Sequence, residues 1–532
     1  MTQKNALLSV FDKAGIVEFA RSLVALDWKL YSSGGTAAAI AAAGLPVTDV
    51  ADLVGGSAIL GHRVVTLSRE VHAGLLARYI EEDIAEMEAL GLPYLDLVCF
   101  NLYPLGAEIA NPKATPESVI EKTDIGGPTA LNSGAKGQRI VIGDPNDYQK
   151  VIDWLKEGSP NKDEFVKALT AKAYFITSSY YLPAAKYHSG GLYDGIFGER
   201  VEPLKYGENP YMTPAALYKS NDDPLAVHNF QLLEGDERSL VGLTDVDRLL
   251  QVLTHIAAGF DANFEKVPFI AVGVKHGNAC GAAVGDDPIE VIMKMVAGDK
   301  RAIFGGVIMT NFEITREVAE ALMAKEENDP PRLFDGVFAS SFTEDASEVL
   351  RRRQGKCRMM FNPALADLGI TSLDTAPRIR QLRGGFTEQP NYTFVLKLDE
   401  SDSYGDTPSE QEQFDLILAW AIGCVSNSNT ITIVRDGQLL GNGVGQQDRV
   451  GAAELAIKRA KDAGHDLRDS VAWSDSFFPA PDGPEVLALA GIGAIFTSSG
   501  SRRDSETIAM CETHKVTLLM QPDTKVRGFS NH

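Results

Sequence analysis

Cysteine is scarce in this chain: 532 residues hold five, Cys99, Cys280, Cys357, Cys424 and Cys511, and no two form a Cys-x-x-Cys pair. That excludes a disulfide framework and a zinc ribbon and leaves small buried hydrophobes as their expected role. Basic residues are short as well, 50 Lys and Arg against 72 Asp and Glu, for a formal net charge of −22. A broad phosphate-binding face needs the opposite balance, so neither nucleic acid nor an acidic membrane is an expected partner. No apolar run approaches the roughly 18 residues of a membrane-spanning helix. The opening MTQKNALLSVFDK lacks the apolar core and small-residue cleavage site of a secretory signal. The expected location is the cytoplasm.

The composition that remains, 44% hydrophobic and 23% charged, is that of a globular enzyme. The length exceeds the ~250 to 300 residues at which single cores stop growing, so two or more domains are expected. ALLSVF reads as a short apolar strand, IVEFARSLVAL as a helix with Ile16, Phe19, Leu23 and Val24 in helical spacing, and KLYSS as the next strand. This is the rhythm of an α/β fold. DLVCFNLYP reads as a buried strand ending at Tyr103, and LKYGENPYMTPAALY as a structured loop. The Gly-rich stretch SGGLYDGIFGERVEP places a boundary near residue 200.

Chemistry is concentrated at a few points. Lys275 and His276 close the apolar run of PFIAVGVKHGNACGAAVGD, residues 268–286. A lysine withdrawn from water gives up its proton more readily and histidine titrates near neutrality, so such a pair can exchange protons at pH 7. Asn278 adds an amide that can polarise an oxygen. The alternative is a strand that simply leaves the core through a polar turn. Ser33-Gly34-Gly35-Thr36, between a strand and an alanine-rich helix, is either a backbone cradle for a phosphate, with Ser9, Lys13 and Arg63 nearby, or a plain tight turn. Asp124 precedes a Gly-Gly-Pro turn, and Lys136 follows about one helical segment later. The adjacent Gly305 and Gly306 in AIFGGVIMTN permit close approach to a ligand, and Phe304 and Gly305 are placed on the substrate side. Arg435-Asp436-Gly437 joins two strands with an Asp-Gly hairpin signal.

SVFDKAGIVEFARSL, SSGGT, VHAGLLAR, NLYP, TDIGGPTAL, LKYGENP, VKHGNACG, NSNTI, RDGQLLGNGVGQQDRV and SDSFFPAPDG follow one another over essentially the whole chain. In this order they resemble the bifunctional purine-biosynthesis family that combines AICAR transformylase with IMP cyclohydrolase. The resemblance implies a methylglyoxal-synthase-like α/β sandwich over residues 1–200. It implies a transformylase domain over 201–532 made of two cytidine-deaminase-like α/β subdomains, with their junction at about 365–390. Likeness to deaminases would be of fold alone, because the chain lacks the H-x-E and P-C-x-x-C of a zinc deaminase, and no catalytic metal is expected.

The resemblance further implies formyl transfer from 10-formyltetrahydrofolate, a co-substrate, to the amine of AICAR, then dehydrative closure of formyl-AICAR to IMP. His276 matches the family's base, Lys275 the group that stabilises the oxyanion or protonates the leaving folate nitrogen, and Asn429 an asparagine that places the reacting groups. Asp475, Phe477 and Phe478 match the folate-side loop; the Phe-Phe pair alone would equally suit core packing. Lys205 and Tyr206 match a pair that meets the nucleotide, and Arg527 a C-terminal arginine on the substrate side. For cyclisation, Ser9, Lys13, Ser33, Gly34, Thr36, Arg63 and Thr66 would surround the 5′-phosphate, with Gly126 and Gly127 on the substrate side. Tyr103, Asp124 and Lys136 would hold the reacting ends, although Lys136 alone reads as a surface lysine near a helix end. A homodimer sharing its transformylase site is implied too.

Departures from the family pattern fall mostly on the cyclohydrolase. Where the family usually reads Arg-Val-Lys-Thr-Leu-His-Pro, this chain reads Arg63-Val64-Val65-Thr66-Leu67-Ser68-Arg69. Val65 offers no hydrogen-bond donor in place of the lysine, with Arg69 or His62 as nearby substitutes. Asn-Pro-His-Gln becomes Asn209-Pro210-Tyr211-Met212, and Asn-Pro-Cys-Gly becomes Asn278-Ala279-Cys280-Gly281. The end KVRGFSNH keeps Arg527, Phe529 and His532 with one residue more than the usual Arg-x-Phe-x-His. The expected function is both reactions. The alternatives are a transformylase whose N-terminal domain has weak or lost cyclohydrolase activity and, more remotely, a non-catalytic purine-nucleotide sensor.

Overall fold

A computed structural model describes residues 3–60, 64–236, 238–324, 332–352 and 355–530. The polypeptide divides into two units, Met1–Phe197 and Gly198–His532. The first unit runs through β1 (Lys4–Leu8), α1 (Ile16–Ala25), β2 (Trp28–Ser32), α2 (Gly34–Ala42), β3 (Thr48–Asp49), β4 (Leu97–Cys99), α3 (Gly126–Lys136), β5 (Ile140–Ile142) and α4 (Lys162–His188), with short helices between. Its strands form one parallel sheet in the order β3-β2-β1-β4-β5. Ala6, Leu7 and Leu8 of β1 are all fully buried, the mark of a strand covered by helices on both faces. Helix α1 buries Ile16, Phe19, Ala20 and Leu23, and burying each of the two largest is worth roughly 2–3 kcal/mol. The strand expected to reach Tyr103 stops at Cys99. There the Asn101 side chain takes up the backbone N–H groups of Phe11 and Asp12 at 2.5 and 3.0 Å, drawing the chain out of the sheet.

The second unit begins with a hairpin, β6 (Glu199–Leu204) against β7 (Ala215–Lys219). The loop expected over LKYGENPYMTPAALY is therefore confined to residues 205–214, its last residues being strand. Then come β8 (Gln231–Glu234), α5 (Leu240–Phe264), β9 (Phe269–Lys275), β10 (Asn278–Gly285), α6 (Pro288–Ala297), β11 (Gly306–Thr310), α7 (Arg316–Met323), β12 (Phe334–Ala339), α8 (Ala346–Leu350) and β13 (Arg358–Phe361). An exposed hairpin, β14 (Arg378–Leu382) and β15 (Gly385–Gln389), and β16 (Asp402–Tyr404) follow. The chain then passes through α9 (Glu410–Gly423), β17 (Ile431–Arg435), β18 (Gln438–Gly443), α10 (Arg449–Asp462), β19 (Ser470–Ser474), α11 (Asp482–Leu489), β20 (Ile492–Ser499), α12 (Asp504–His514) and β21 (Thr517–Pro522).

This order is a duplication: a long helix, a hairpin, then three helix–strand steps, once from α5 to β13 and again from α9 to β21. Residues 365–390 lie between the two copies. They share one sheet, β16-β21-β20-β19-β17-β18-β10-β9-β11-β12-β13-β8, and meet where β10 pairs with β18 at Ala283 and Gln438. Helices α5 and α9 pack together, the Phe260 and Phe414 rings meeting edge-on with centroids 4.7 Å apart. All five cysteines are free and buried, as the sequence predicts. Among the described residues, no helix is long and apolar enough to cross a membrane.

Asp415 on α9 accepts the backbone N–H groups of Asp436 and Gly437 at 2.8 and 2.7 Å. Burial outweighs those bonds and pushes its carboxyl up to about 6. Because this value lies above that of the unfolded chain, the stability Asp415 contributes is fully present below about pH 4 and is lost as pH rises through about 6. Relative to Asp415→Asn, the wild-type protein is expected to gain about 2 kcal/mol between pH 7.5 and 4. Urea denaturation across that range measures it; parallel stability curves would contradict the assignment.

Candidate functional site

In the first unit a cleft of about 630 Å³ opens where β1, β2 and β4 end. The sheet order reverses between β1 and β4, and in open parallel sheets that crevice outside the carboxyl ends is where ligands bind. Of the residues expected here, Ser9, Lys13, Ser33, Gly34, Thr36, Thr66, Tyr103, Asp124, Gly126 and Gly127 line the cleft, together with Val65. Arg63 and His62 lie outside the described residues.

Two ends differ in chemistry. At one, Ser9 and Ser33 face each other with hydroxyls 3.4 Å apart, Gly34 and Gly35 open helix α2, and the Lys13 ammonium donates to the carbonyls of Val10 and Phe11. Burial lowers the pKa of Lys13. The hydroxyl of Thr36 is buried and bonded to the backbone of Val10, which leaves the Thr36 backbone as the part facing the cleft. At the other end Asp124 accepts Gly127 N–H at 2.9 Å, while its own N–H donates to Tyr180 Oη at 2.8 Å. A Cβ on Gly127 would stand 2.6 Å from both Asp124 Oδ2 and Leu102, so only glycine lets the carboxylate sit there. Burial raises the pKa of Asp124, and burial together with Asp124 raises that of Tyr103.

Lys136 is not part of this cleft. It ends α3 and is exposed, roughly 15 Å along the helix axis from the Asp124 end at 1.5 Å per residue. Arg69 is likewise exposed, pairing with Glu70 at 3.2 Å. Phe11 and Asn101 were missed; both line the cleft, and Phe11 stacks edge-on against Tyr103 with centroids 5.1 Å apart.

In the second unit Lys275 ends β9, and His276 and Gly277 form the two-residue turn into β10. Lys275 is half-buried and its ammonium donates to the Phe304 carbonyl. His276 is exposed: the hairpin carries the imidazole out of the core. Gly305 has φ 71°, and a Cβ there would stand 3.9 Å from Lys275 Nζ. Phe304 beside it is exposed. Asn278 Oδ1 accepts Asn427 N–H at 3.1 Å, tying this turn to the loop of the second copy that carries Asn429. The Asn429 amide donates to Gln446 O at 3.0 Å.

Asp475 is 1% exposed. Its carboxylate accepts from the Ser428 hydroxyl, from Thr430 N–H at 3.0 Å and from Arg449 at 3.3 Å. It braces the Asn429 loop from beneath. Phe478 is core, packed with Ile431 and Leu487, while Phe477 is half-exposed. Arg527 pairs with Asp523 and lies 5.1 Å from the Phe529 ring. Lys205 pairs with Asp236 at 2.9 Å at the surface. Tyr206 O accepts Leu240 N–H at the start of α5. Among the described residues, no group of three His, Cys, Asp or Glu side chains is placed to hold a metal ion.

Together these features give an α/β protein with two candidate centres, a polar cleft on a parallel sheet and a Lys-His hairpin on a duplicated one. The family described as AICARFT/IMPCHase bienzyme matches residues 135–459, and the MGS-like domain family matches 15–129. The bifunctional purine biosynthesis protein PurH of Staphylococcus carnosus (strain TM300) is 36% identical over 533 residues, 99% of this chain and 100% of that protein. A solved structure described as the crystal structure of ForH is 36% identical over 35% of this chain and 98% of its own, with a TM-score of 0.31. The chain belongs to the AICARFT/IMPCHase bienzyme family. It is a bifunctional enzyme of purine biosynthesis, an AICAR transformylase and IMP cyclohydrolase.

Proposed function

We propose that formyl transfer takes place at the Lys275–His276 hairpin and ring closure in the cleft of the first unit. The AICAR amine is a weak nucleophile because its lone pair is delocalised into the ring. As its nitrogen bonds to the formyl carbon of 10-formyltetrahydrofolate, His276 takes the amine proton and Lys275 stabilises the oxyanion. When that intermediate collapses, the bond to the folate nitrogen breaks and that nitrogen takes up a proton from Lys275. Asn429 orients the reacting groups. Lys205, Tyr206 and Arg527 meet the nucleotide, Phe304 and Gly305 line its seat, and Phe477 covers the folate ring. The observation that carries this reading is the convergence of Lys275, Asn278 and the Asn427–Asn429 loop.

In the cleft, the N–H groups opening α2, with Ser9, Ser33 and Lys13, receive the 5′-phosphate. Asp124 accepts a proton from the carboxamide nitrogen as it attacks the formyl carbon, Tyr103 holds the formyl oxygen, and water leaves. Joining two groups of one molecule draws most of its acceleration from positioning. The reaction therefore persists with Val65 in the cleft, at a reduced rate. Neither step requires a metal. The protein is cytoplasmic and acts as a homodimer sharing its transformylase site, a reading supported by Ile379, Leu382 and Phe386, exposed on the β14–β15 hairpin.

Formyl-AICAR supplied alone, without folate, tests the cyclohydrolase half. The wild-type protein is expected to form IMP faster than buffer, and Val65→Lys about tenfold faster again, as one restored charge-assisted hydrogen bond would give. An unchanged rate in Val65→Lys would mean that another group already fills that role, and a wild-type rate equal to buffer would leave a transformylase alone.

A further inference from the structure

The two copies in the second unit carry the same buried device, and only one of them presents a reacting side chain. Asp245 is the sixth residue of α5 and Asp415 the sixth of α9. They are 9% and 2% exposed, and each carboxylate faces the two-residue turn of the hairpin that follows its helix. Asp245 Oδ1 accepts Gly277 N–H at 2.7 Å, and the carboxylate also takes the N–H of His276. Asp415 accepts Asp436 N–H and Gly437 N–H at 2.8 and 2.7 Å. Both turns have two left-handed residues in succession, with φ of 53° and 73° at His276 and Gly277 and of 52° and 69° at Asp436 and Gly437.

Such a turn is best served by Asn-Gly or Asp-Gly. The second copy has Asp-Gly. The first has His-Gly, so an imidazole stands where the turn's own preference is for a short polar side chain, and departures of this kind gather at functional sites. Beside the second turn, the Arg435 guanidinium is spent on the carbonyls of Asp466 and Arg468 at 2.7 and 3.0 Å. Beside the first, Lys275 and His276 reach the surface of the site. The duplication thus separates fixing the turn, common to both copies, from aiming a proton-transfer group, found in one.

We propose that Asp245 is a positioning residue for formyl transfer, holding the backbone of His276 and Gly277 so that the imidazole leaves the hairpin in the direction the reaction needs. The inference rests on His276 being the base. Asp415 is its internal counterpart, with the same bonds and no reacting group to aim.

The test uses the full-length protein with Asp245→Ala, Asp245→Asn and Asp415→Ala, measuring kcat and KM for AICAR by tetrahydrofolate release, and thermal melting. Asp245→Ala is expected to lower kcat about 10- to 100-fold, as a small misplacement of a catalytic group does, with KM for AICAR within about twofold. Asp245→Asn keeps an oxygen for Gly277 N–H and regains most of the loss. Asp415→Ala lowers the melting temperature and leaves kcat per folded enzyme unchanged. An unchanged kcat in Asp245→Ala, or equal kcat losses in the two alanine variants, overturns the proposal. Should Asp245→Ala not fold, Asp245→Glu serves: its longer side chain displaces the carboxylate, so it is expected to lose kcat where Asp245→Asn keeps it, and the reverse order overturns the proposal. Formyl transfer that survives His276→Asn would instead remove the reading beneath it.

Discussion

His276→Asn is expected to slow formyl transfer by about 10²- to 10⁴-fold, the range for losing a positioned acid–base group. Asparagine suits the left-handed backbone at this position, φ 53°, and the side chain is exposed, so folding should be untouched and the loss chemical. Tetrahydrofolate release from 10-formyltetrahydrofolate and AICAR reads the effect, while cyclisation of supplied formyl-AICAR stays at the wild-type rate. A loss below about threefold would place the base elsewhere, because a general base typically contributes about 10²- to 10⁴-fold.

Asp124→Asn is expected to have the mirror effect, lowering cyclisation of formyl-AICAR by about 10²- to 10⁴-fold and leaving formyl transfer intact. Burial raises the pKa of this carboxyl. Its ionised form, the one that accepts a proton, is therefore lost at a higher pH than for an ordinary carboxylate, and cyclisation should decline as pH falls through that raised value. Asparagine retains an oxygen for Gly127 N–H, so the start of α3 keeps its cap. Lys136→Met is the comparison: exposed at the far end of the same helix, it should leave cyclisation unchanged. If the two variants lost activity equally, the assignment of Asp124 would fail.

Local pattern made much of this molecule legible. Helical spacing of Ile16, Phe19 and Leu23, the Ser-Gly-Gly-Thr that caps and opens α2 and the Asp-Gly of β17–β18 each encode structure through neighbours within a few residues; the helix begins at Gly34, inside the Ser-Gly-Gly-Thr that the sequence sets ahead of it. What escaped the sequence depends on long-range packing. Nothing local says that Asp475 turns inward to Ser428, Thr430 and Arg449, or that Phe478 is core while Phe477 is not, because burial is decided by residues distant in the chain. Lys136 shows the same dependence: a motif aligns it with the cleft residues, and only the length of α3 places it at the far end of that helix. Asp245 was missed altogether. Its signal is the repeat itself, a carboxylate in the sixth position of a helix followed by a hairpin with a two-residue turn, which appears only when residues 240–285 and 410–443 are set beside each other.

The most direct test of the two-centre account is one incubation of purified full-length protein with AICAR and 10-formyltetrahydrofolate, following tetrahydrofolate release and separating formyl-AICAR from IMP by chromatography. The account predicts tetrahydrofolate and IMP in equal amounts, with IMP forming faster than from formyl-AICAR in buffer. Formyl-AICAR accumulating while IMP appears only at the buffer rate would contradict a working cyclohydrolase cleft, and no tetrahydrofolate release at all would contradict the account as a whole.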